Sequence, residues 1–283
     1  MLQTLSNPTL SAPALPVPAR QEELHPNVVA ISGTITRAYR QDDDVVVRLK
    51  SETYGQTHYV SLLLPGGQPA SGQAVSLLTG ARLLARGYLR SVERVETYAD
   101  LLKRIGHPKR IEDGDENIRI ARTVTYVVAD SLALAPEGEP DANEVEVQGI
   151  VWKTWKLPRQ SHVYARLAIY DAYAPLRPNG NGRAKREAHY ASIMFPQGVT
   201  VEGIPVNMTP HKQKRCSYRV IGYLHNMDYF ERLSRLLKRV KQPDRIREGD
   251  EDIKVGRTTT YVVGRQLHEY LAPIRVENGR SRR

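Results

Sequence analysis

Apolar and polar residues alternate along most of this 283-residue chain, a pattern typical of β-strands with one buried face. In the segment VYARLAIY, residues 163–170, the alternation places apolar side chains inward and leaves Tyr164, Arg166 and Tyr170 on the other face. The segment RLLARGYLR, residues 82–90, has the same pattern, with Arg86, Tyr88 and Arg90 facing outward. The pattern predicts a mainly β protein whose outer face is basic and aromatic.

The strand pattern occurs twice. GDENIRIARTVTYVVAD, residues 114–130, returns as GDEDIKVGRTTTYVVGR, residues 249–265. Gly33 and its match Gly149 are 116 residues apart, whereas Gly87 and its match Gly222 are 135 apart, so the spacing changes only between predicted strands. We therefore expect two homologous domains, 27–136 and 143–273. They are joined by a polar linker, 137–142, preceded by a disordered Pro-rich arm, 1–26, and followed by a basic tail, 274–283.

Each repeat contains three strands, a variable connection, a fourth strand, a short helix and a fifth strand. Leu101, Leu102 and Ile105, matched by Leu236, Leu237 and Val240, have the spacing of one helix face, which we expect to pack on its own barrel. Glycines inside strands suit the bends of a small barrel. The fold class predicted is mainly β, with two tandem OB-fold (five-stranded Greek-key) barrels, each with a short amphipathic helix between strands 4 and 5. An immunoglobulin-like sandwich needs about seven strands, more than each repeat supplies.

The charge of the chain points to a polyanionic partner. Its 41 Lys and Arg exceed its 31 Asp and Glu, for a formal net charge of +10, although a soluble protein can also be basic without such a partner. Single strands are bound by a positive groove for phosphates and flat side chains on which bases stack. The candidate nucleic-acid-binding residues on the outer face are Tyr39, Arg48, Lys50, Tyr59, Arg86, Tyr88, Arg90, Trp152, Trp155, Tyr164, Arg166, Tyr170, Tyr190, Arg219 and Tyr223.

The second repeat has a longer loop, 171–190, whose Arg183, Lys185 and Arg186 could fold over a bound strand. Structural alternatives stay open for several candidates. The loop could be a solvated hairpin, the tyrosines at 88 and 223 could cap a barrel edge, and the two tryptophans could lie in the core or between the domains. The basic helix segment RLSRLLKRVK, residues 232–241, is most simply a solvated face.

Motifs of catalysis or metal binding are missing from the sequence. It has no HExxH, G-x-S-x-G, Walker or Rossmann pattern, and EDGDEN and EGDEDI lack the ligand spacing of a calcium loop. We expect those acidic segments to be turns that pair with nearby Lys and Arg. One cysteine gives no disulfide framework, and no segment has the ~18 apolar residues of a membrane span. The expectation is a non-enzymatic cytoplasmic protein without cofactor or metal.

The second repeat carries, in order, VQGIVWK, ARLAIYD, HYASIMFP, YRVIGYLH and TTTYVV, and the first repeat has matching strands. In this order and spacing the chain resembles the bacterial single-stranded-DNA-binding protein (SSB) family, in its variants with two OB-folds per chain. The resemblance implies sequence-independent binding and protection of single-stranded DNA in replication, recombination or repair. It also implies nucleoid association and a homodimer, because the family usually presents four OB-folds per assembly. It makes Phe195 a base-stacking residue, whereas simple alternation places Phe195 inward.

The chain departs from the family at three places. The third strands open with His58-Tyr59 and His189-Tyr190 where the family often has Trp-His, and a helix replaces a plain hairpin. A basic segment stands where many members have an acidic tail ending in Phe, so recruitment of repair proteins by such a tail is not expected. Two alternatives to single-stranded DNA binding remain: a single-stranded RNA-binding OB module and a protein-interaction scaffold.

Overall fold

The computed structural model describes residues 26–69, 71, 77–156, 161–173, 176–178, 184–210 and 216–271. The first repeat forms β1 Asn27–Gln41, β2 Asp44–Thr53, β3 Gln56–Leu64, β4 Arg82–Thr97, α1 Tyr98–Arg104 and β5 Arg119–Leu134. The second forms β6 Asn143–Trp155, β7 Val163–Ile169, β8 Leu176–Pro178, β9 Ala184–Arg186, β10 His189–Phe195, β11 Cys216–Arg232, α2 Leu233–Arg239 and β12 Lys254–Leu271. The predicted arm, 1–26, lies outside the described residues except at its last position, and so does the tail, 274–283.

Each repeat closes into a five-stranded barrel. In the first, β1 pairs with β2, β2 with β3, β3 with β5 in parallel, β5 with β4, and β4 with β1. The second repeats this order with β6, β7, β10, β12 and β11. This closure, with a helix between the fourth and fifth strands, is the tandem OB-fold that the sequence predicted.

Glycine is required where the fourth strand of each barrel bends over the fifth. A Cβ at Gly87 would lie 1.9 Å from the carbonyl oxygen of Val128, and a Cβ at Gly222 would lie 2.0 Å from that of Val263. Opposite each of these glycines the fifth strand has a β-bulge, whose extra residue is Asp130 in β5 and Arg265 in β12. No other residue allows the two backbones to approach so closely, which explains why both repeats keep glycine here.

The two barrels are joined edge to edge by their first strands. Residues 27–31 of β1 pair antiparallel with residues 143–147 of β6, so one ten-stranded sheet runs through both barrels. Val29 faces Val145, and these two occupy matched positions in the repeat, both buried. A pseudo-two-fold axis therefore passes between them and relates the first barrel to the second.

A buried asparagine fastens each first strand to the fourth strand of its barrel. The Asn27 amide donates to the Leu89 carbonyl at 3.0 Å and accepts the Leu89 N–H at 2.9 Å. Asn143 makes the same two bonds with Leu224, both at 2.9 Å. Buried polar groups are costly unless they are paired. The repetition of this double hydrogen bond identifies both asparagines as structural.

The two helices do not pack on their own barrels, so that expectation was wrong. The long hairpins β4–β5 and β11–β12 project away from the barrels and carry α1 and α2 toward each other. Leu101 and Leu102 pack with Leu236 and Leu237 in a second apolar cluster, separate from the barrel cores, together with Tyr98, Ile118, Ile120, Leu233, Ile253 and Val255. We call residues 98–119 and 233–254 the hairpin bridge.

Reciprocal ion pairs surround this cluster. Arg110 of the first repeat contacts Asp250 of the second at 2.6 Å, and the matched Arg245 contacts Asp115 at 3.3 Å. Both aspartates are fully buried. Burial beside them raises the pKa of Tyr98 to about 12. The acidic turns thus pair with arginines, as the sequence predicted, but each partner comes from the other repeat.

The segment between the barrels is held in place by Arg82. Its guanidinium donates to the carbonyl oxygens of Pro136 and Glu139 and pairs with Asp141 at 2.7 Å.

Among the described residues, no helix is long and apolar enough to cross a membrane. That same part of the chain holds no cluster of three side chains suited to a metal ion.

Candidate nucleic-acid interface

A groove of about 1080 Å³ lies between the two barrels and the hairpins that leave them. Both repeats contribute to its walls. On the barrel side the lining includes Tyr39, Arg48, Ser61, Lys153, Arg166, Tyr190 and Ser192. On the hairpin side it includes Ser91, Arg104, Arg122, Thr123, Thr125, Tyr126, Asn226, Tyr229, Arg239, Arg257, Thr258, Thr259 and Thr260.

Two matched arginine–tyrosine pairs stand on the barrel side of the groove. The guanidinium of Arg48 lies 5.1 Å from the ring centroid of Tyr59, and that of Arg166 lies 4.8 Å from the ring of Tyr190. Both distances fall within the range of a cation–π contact. Each pair couples a cation to an aromatic face, and the pseudo-two-fold axis repeats the pair in the other barrel.

β-Bulges in the first strands of both barrels determine which side chains point toward the groove. In β1 the register shifts between Ile35 and Arg37, and in β6 it shifts between Val151 and Lys153. Trp152 is the extra residue of the second bulge, and it is 63% exposed. Its ring meets the edge of Tyr190 with centroids 6.4 Å apart. The bulge therefore places a large free aromatic face beside the groove.

The hairpin side of the groove is rich in hydroxyls, and two of its four arginines are held by close ion pairs. Arg104 pairs with Glu96, and Arg239 pairs with Glu231, each at 2.9 Å. Ser91 donates to the carbonyl oxygen of Tyr190 at 2.6 Å, tying the first hairpin to the second barrel. Glu93 and Glu231 also line the hairpin side and offset part of the charge of its four arginines, whereas no acid on the barrel side offsets Arg48, Lys153 and Arg166.

The groove collects only part of the predicted set. Tyr39, Arg48, Arg166 and Tyr190 line it. Tyr59 and Trp152 adjoin it through their contacts with Arg48 and Tyr190. Tyr170 is half-buried and lies near Tyr190. Its pKa is raised, mainly by burial and to a lesser extent by the phenol of Tyr190. These residues form a continuous candidate surface.

Phe195 and Tyr164 do not fit the binding role that the sequence predicted, because neither ring is exposed. Phe195 is completely buried and its ring rests against Gly264, where a Cβ would lie 2.4 Å from the ring. Simple alternation was right for this residue, and the base-stacking role implied by the resemblance does not fit. Tyr164 lies under Trp155, with ring centroids 5.7 Å apart and nearly parallel planes. Trp155 is half-buried by this stack and has Lys153 at 5.2 Å over its ring.

Tyr88 and Tyr223 do not fit the predicted binding role either, because they lie between the barrels and outside the groove. Tyr88 stacks on Tyr173 of the second repeat at 3.7 Å, and Tyr223 stacks on Tyr54 of the first at 4.5 Å. Burial raises the pKa of both Tyr88 and Tyr223. A ring already covered by another ring has little face left for a base.

The remaining predicted cations lie away from the groove. Lys50 pairs with Glu52 at 2.6 Å, and this hydrogen bond raises the lysine pKa. Arg219 pairs with Glu146 at 2.8 Å, while Arg86 and Arg90 are exposed on β4. Arg183 lies outside the described residues, as do the side chains of Lys185 and Arg186 in β9.

Two histidines meet where the barrels touch. The Nδ1 atoms of His58 and His225 are 3.2 Å apart, and the His58 Nε2 lies 3.0 Å from the Thr53 carbonyl oxygen. A carbonyl only accepts, so Nε2–H of His58 donates to it, and Nδ1 of His58 accepts from Nδ1–H of His225. Burial lowers the pKa of both histidines. The pair is therefore uncharged at neutral pH.

Sequence reasoning missed Lys153, Arg122 and the threonines of the hairpin side. Their signal was present, because RTVTYVV and RTTTYVV place Thr123, Thr125, Thr258 and Thr260 in alternation on the outer face of the fifth strands. Threonine hydroxyls can donate to phosphate oxygens. What the sequence did not show is that the two fifth strands line one groove.

No profile of a known protein family matches the chain, and no curated protein matches it in sequence. Among solved structures, a deletion mutant of the single-stranded DNA binding protein from Thermus aquaticus matches with a TM-score of 0.48 at 14% identity, covering 90% of this chain and 100% of that one. The dimeric N-terminal domain of PriB from Thermoanaerobacter tencongensis matches with a TM-score of 0.24 at 14% identity, covering 39% of this chain and 98% of that one.

Proposed function

We propose that this protein binds single-stranded DNA without sequence preference. The observation that carries the proposal is the pair of matched cation–π contacts, Arg48 over Tyr59 and Arg166 over Tyr190, on the two barrels that share one groove. Arginines at these positions can bind successive phosphates, while tyrosines and the exposed Trp152 offer faces to bases. Every base has such a face, so this mode of binding tolerates any sequence.

The groove fits a single strand better than a duplex. Neither helix is free to enter a major groove, because α1 and α2 are only seven residues each and pack against each other. The aromatic residues at the groove can stack only on bases that are unpaired and unstacked from a partner strand. Preference for single strands follows from this geometry.

The proposal includes a non-catalytic role in the replication, recombination or repair of bacterial DNA, in the cytoplasm, by a homodimer. The sequence resemblance supports the role and the homodimer, and the single cysteine is consistent with a reducing cytoplasm. A homodimer predicts a sedimentation mass of two chains, and a mass of one chain would contradict it.

The test of DNA binding is a fluorescence titration of the full chain with unstructured poly-dT, with a duplex of equal length as control. The tryptophans that report are Trp152 and Trp155. We expect tighter binding of the single strand and a log–log salt slope of about −0.7 per phosphate neutralised. Equal affinity for the duplex, or an affinity that salt does not change, would contradict the proposal. Competition with a matched RNA oligomer separates DNA binding from RNA binding.

A further inference from the structure

Helices α1 and α2 occupy matched positions in the two repeats but differ in charge. Thr97, Asp100 and Gly106 around α1 correspond to Arg232, Arg235 and Lys241 around α2, each 135 residues later. All three cations are exposed, and Lys238 lies exposed beside them. The first repeat thus serves as an internal reference for what the helix needs structurally.

The first helix has the usual stabilising residues at its ends. The Thr97 hydroxyl oxygen accepts the Asp100 N–H at 3.1 Å as the N-cap, and Asp100 pairs with Lys103 at 3.4 Å. Gly106, just after the helix, has φ of 82°, a left-handed conformation that glycine adopts without strain. Each of these features stabilises a short helix.

The second helix lacks all three features, and a cation stands at each of the matched positions. Arg232 stands at the N-cap position and makes no capping hydrogen bond with its side chain. Lys241 has φ of 60°, which is unfavourable for a residue with a side chain. Arg235 lies in the first turn, where the helix dipole disfavours positive charge, and one turn before Arg239, a like charge.

Loss of local stability at three neighbouring positions, each time in exchange for a positive charge, is not what a merely solvated helix face requires. Residues that break local rules together point to a functional site. Among the described residues, Arg232, Arg235, Lys238 and Lys241 have no carboxylate within ion-pair distance, unlike Lys103 on α1. The cations are therefore available to an external anion.

The position of this face indicates the anion. Arg239 lines the hairpin side of the groove, and Arg235 lies one helical turn before it, on the same side of α2. Arg232 stands at the N-cap and directly follows Glu231, which also lines the groove. The cations of α2 therefore adjoin the hairpin side of the groove, and they have no basic counterpart at Thr97 and Asp100 of α1.

We propose that the exposed face of α2, made of Arg232, Arg235, Lys238 and Lys241, binds the phosphodiester backbone of a single strand where it leaves the groove. This inference rests on the proposed function and adds a second contact surface to it. A strand that extends past the groove would follow α2 and not α1. The two ends of the groove are therefore unequal.

The test transplants the α1 residues onto α2 in the full chain, as Arg232→Thr, Arg235→Asp and Lys241→Gly together. The probes are dT oligomers of about 10 and about 40 nucleotides, chosen to fill the groove or to extend beyond it. We expect wild-type affinity for the short oligomer, a loss of about 10-fold or more for the long one, and a salt slope smaller by about 2 for the long one. The melting temperature should rise, because the cap and the glycine are restored.

The matched control is Lys103→Ala with Lys109→Ala around α1, which should leave both affinities near the wild-type values. A second variant, Arg232→Gln, Arg235→Gln and Lys241→Gln, removes the charge without rebuilding the cap and should lose the same affinity for the long oligomer. Wild-type affinity and salt slope in both α2 variants would overturn this inference and leave the proposed function intact. Failure of the wild-type chain to bind either oligomer would overturn both.

Discussion

At the scale of single residues, the repeat separates aromatic side chains that hold the barrels together from those that are free to bind. Tyr88, Tyr223 and Tyr164 are each stacked on another ring. Trp152 is 63% exposed and lies beside the groove, with one edge against Tyr190. Its position on a bulge, and not the residue type, distinguishes Trp152 from Trp155.

Replacement of Trp152 by Ala should therefore weaken single-strand binding. A stacked base is worth roughly 1 to 3 kcal/mol, so we expect the dissociation constant to rise between about 5-fold and about 150-fold. The measurement is a titration with dT oligomers, with Trp155→Phe as the control, since Trp155 is half-buried against Tyr164. Poly-dT should still quench the fluorescence of the control. Quenching that disappears in the control and persists in Trp152→Ala would assign the stacking to Trp155.

The pair of buried His58 and half-buried His225 should make stability depend on pH. Its cause is burial, which lowers the pKa of both histidines below the ordinary value of 6.5 in the folded chain. The unfolded chain takes up these protons first as the pH falls, so stability is fully present above about 6.5 and decreases as the pH drops through the lower folded pKa values.

The measurement is the melting temperature at about pH 7.5 and about pH 5.5. We expect a lower value in acid for the wild type and a smaller difference for His58→Gln. His268→Gln, at an exposed position, should keep the wild-type difference. An equal drop in His58→Gln and the wild type would assign the acid sensitivity to other groups.

At the residue scale, the sequence predicted correctly whether a side chain is buried in its own barrel. Alternation placed Phe195 in the core and Arg48 and Arg166 outside, because burial within a barrel follows the pleat. Alternation placed Tyr88 and Tyr223 on the outer face, but it could not show that the other barrel covers them there. Nothing in the local pattern specifies what lies opposite an outer face.

At the scale of elements, the hairpin bridge depends on charges that cross between the repeats. Asp250 is fully buried, and Arg110 is the arginine that pairs with it. The Asp250 side chain also accepts the Arg247 N–H, at 2.8 Å. Glu112 and Arg247, which occupy matched positions, pair with each other at 2.6 Å. Two identical repeats would place like charges at that point, so the bridge requires two different halves.

Arg110→Ala should lower the free energy of unfolding by about 3 kcal/mol, because removing one partner leaves a buried carboxylate without its counter-charge. Chemical denaturation monitored by circular dichroism measures the change. Lys109→Ala, one residue away and exposed, should change stability by no more than about 0.5 kcal/mol. A loss for Arg110→Ala as small as that of the control would mean that Asp250 is adequately paired by the backbone of its own turn.

The existence of both helices could be predicted from the sequence, but their packing could not. The spacing of Leu101, Leu102 and Ile105 shows an apolar face that must be covered. The spacing does not show which element covers this face, since the barrel and the other helix are equally apolar partners. The acidic turns point to the true partner, because Asp115 and Asp250 are buried and each pairs with an arginine of the other repeat.

At the scale of the whole molecule, the pseudo-two-fold axis turns two barrels into one binding surface. The β1–β6 pairing and the hairpin bridge fix the barrels on both sides of the groove. Arg48 and Arg166 therefore face one shared space, as the groove lining shows. Two independent OB-fold sites would behave differently from one site built by both.

A shared groove predicts one short oligomer per chain and equal sensitivity to changes in either barrel. Arg48→Ala and Arg166→Ala should each weaken binding of a dT oligomer of about 10 nucleotides and each reduce the salt slope by about 0.7. With independent sites, the unchanged barrel would still bind the oligomer at full affinity. Arg86→Ala, which removes an exposed cation outside the groove, is the control and should leave affinity near the wild-type value.

Stoichiometry decides between these two arrangements. Titration of the full chain to saturation should end at one short oligomer per chain, in the wild type and in both groove variants. Two oligomers per chain, with one lost in each variant, would mean that the barrels bind separately and that the groove between them is only the space left by their packing. The ratio per chain is the same whether the protein is a monomer or a homodimer, so this measurement does not depend on the assembly.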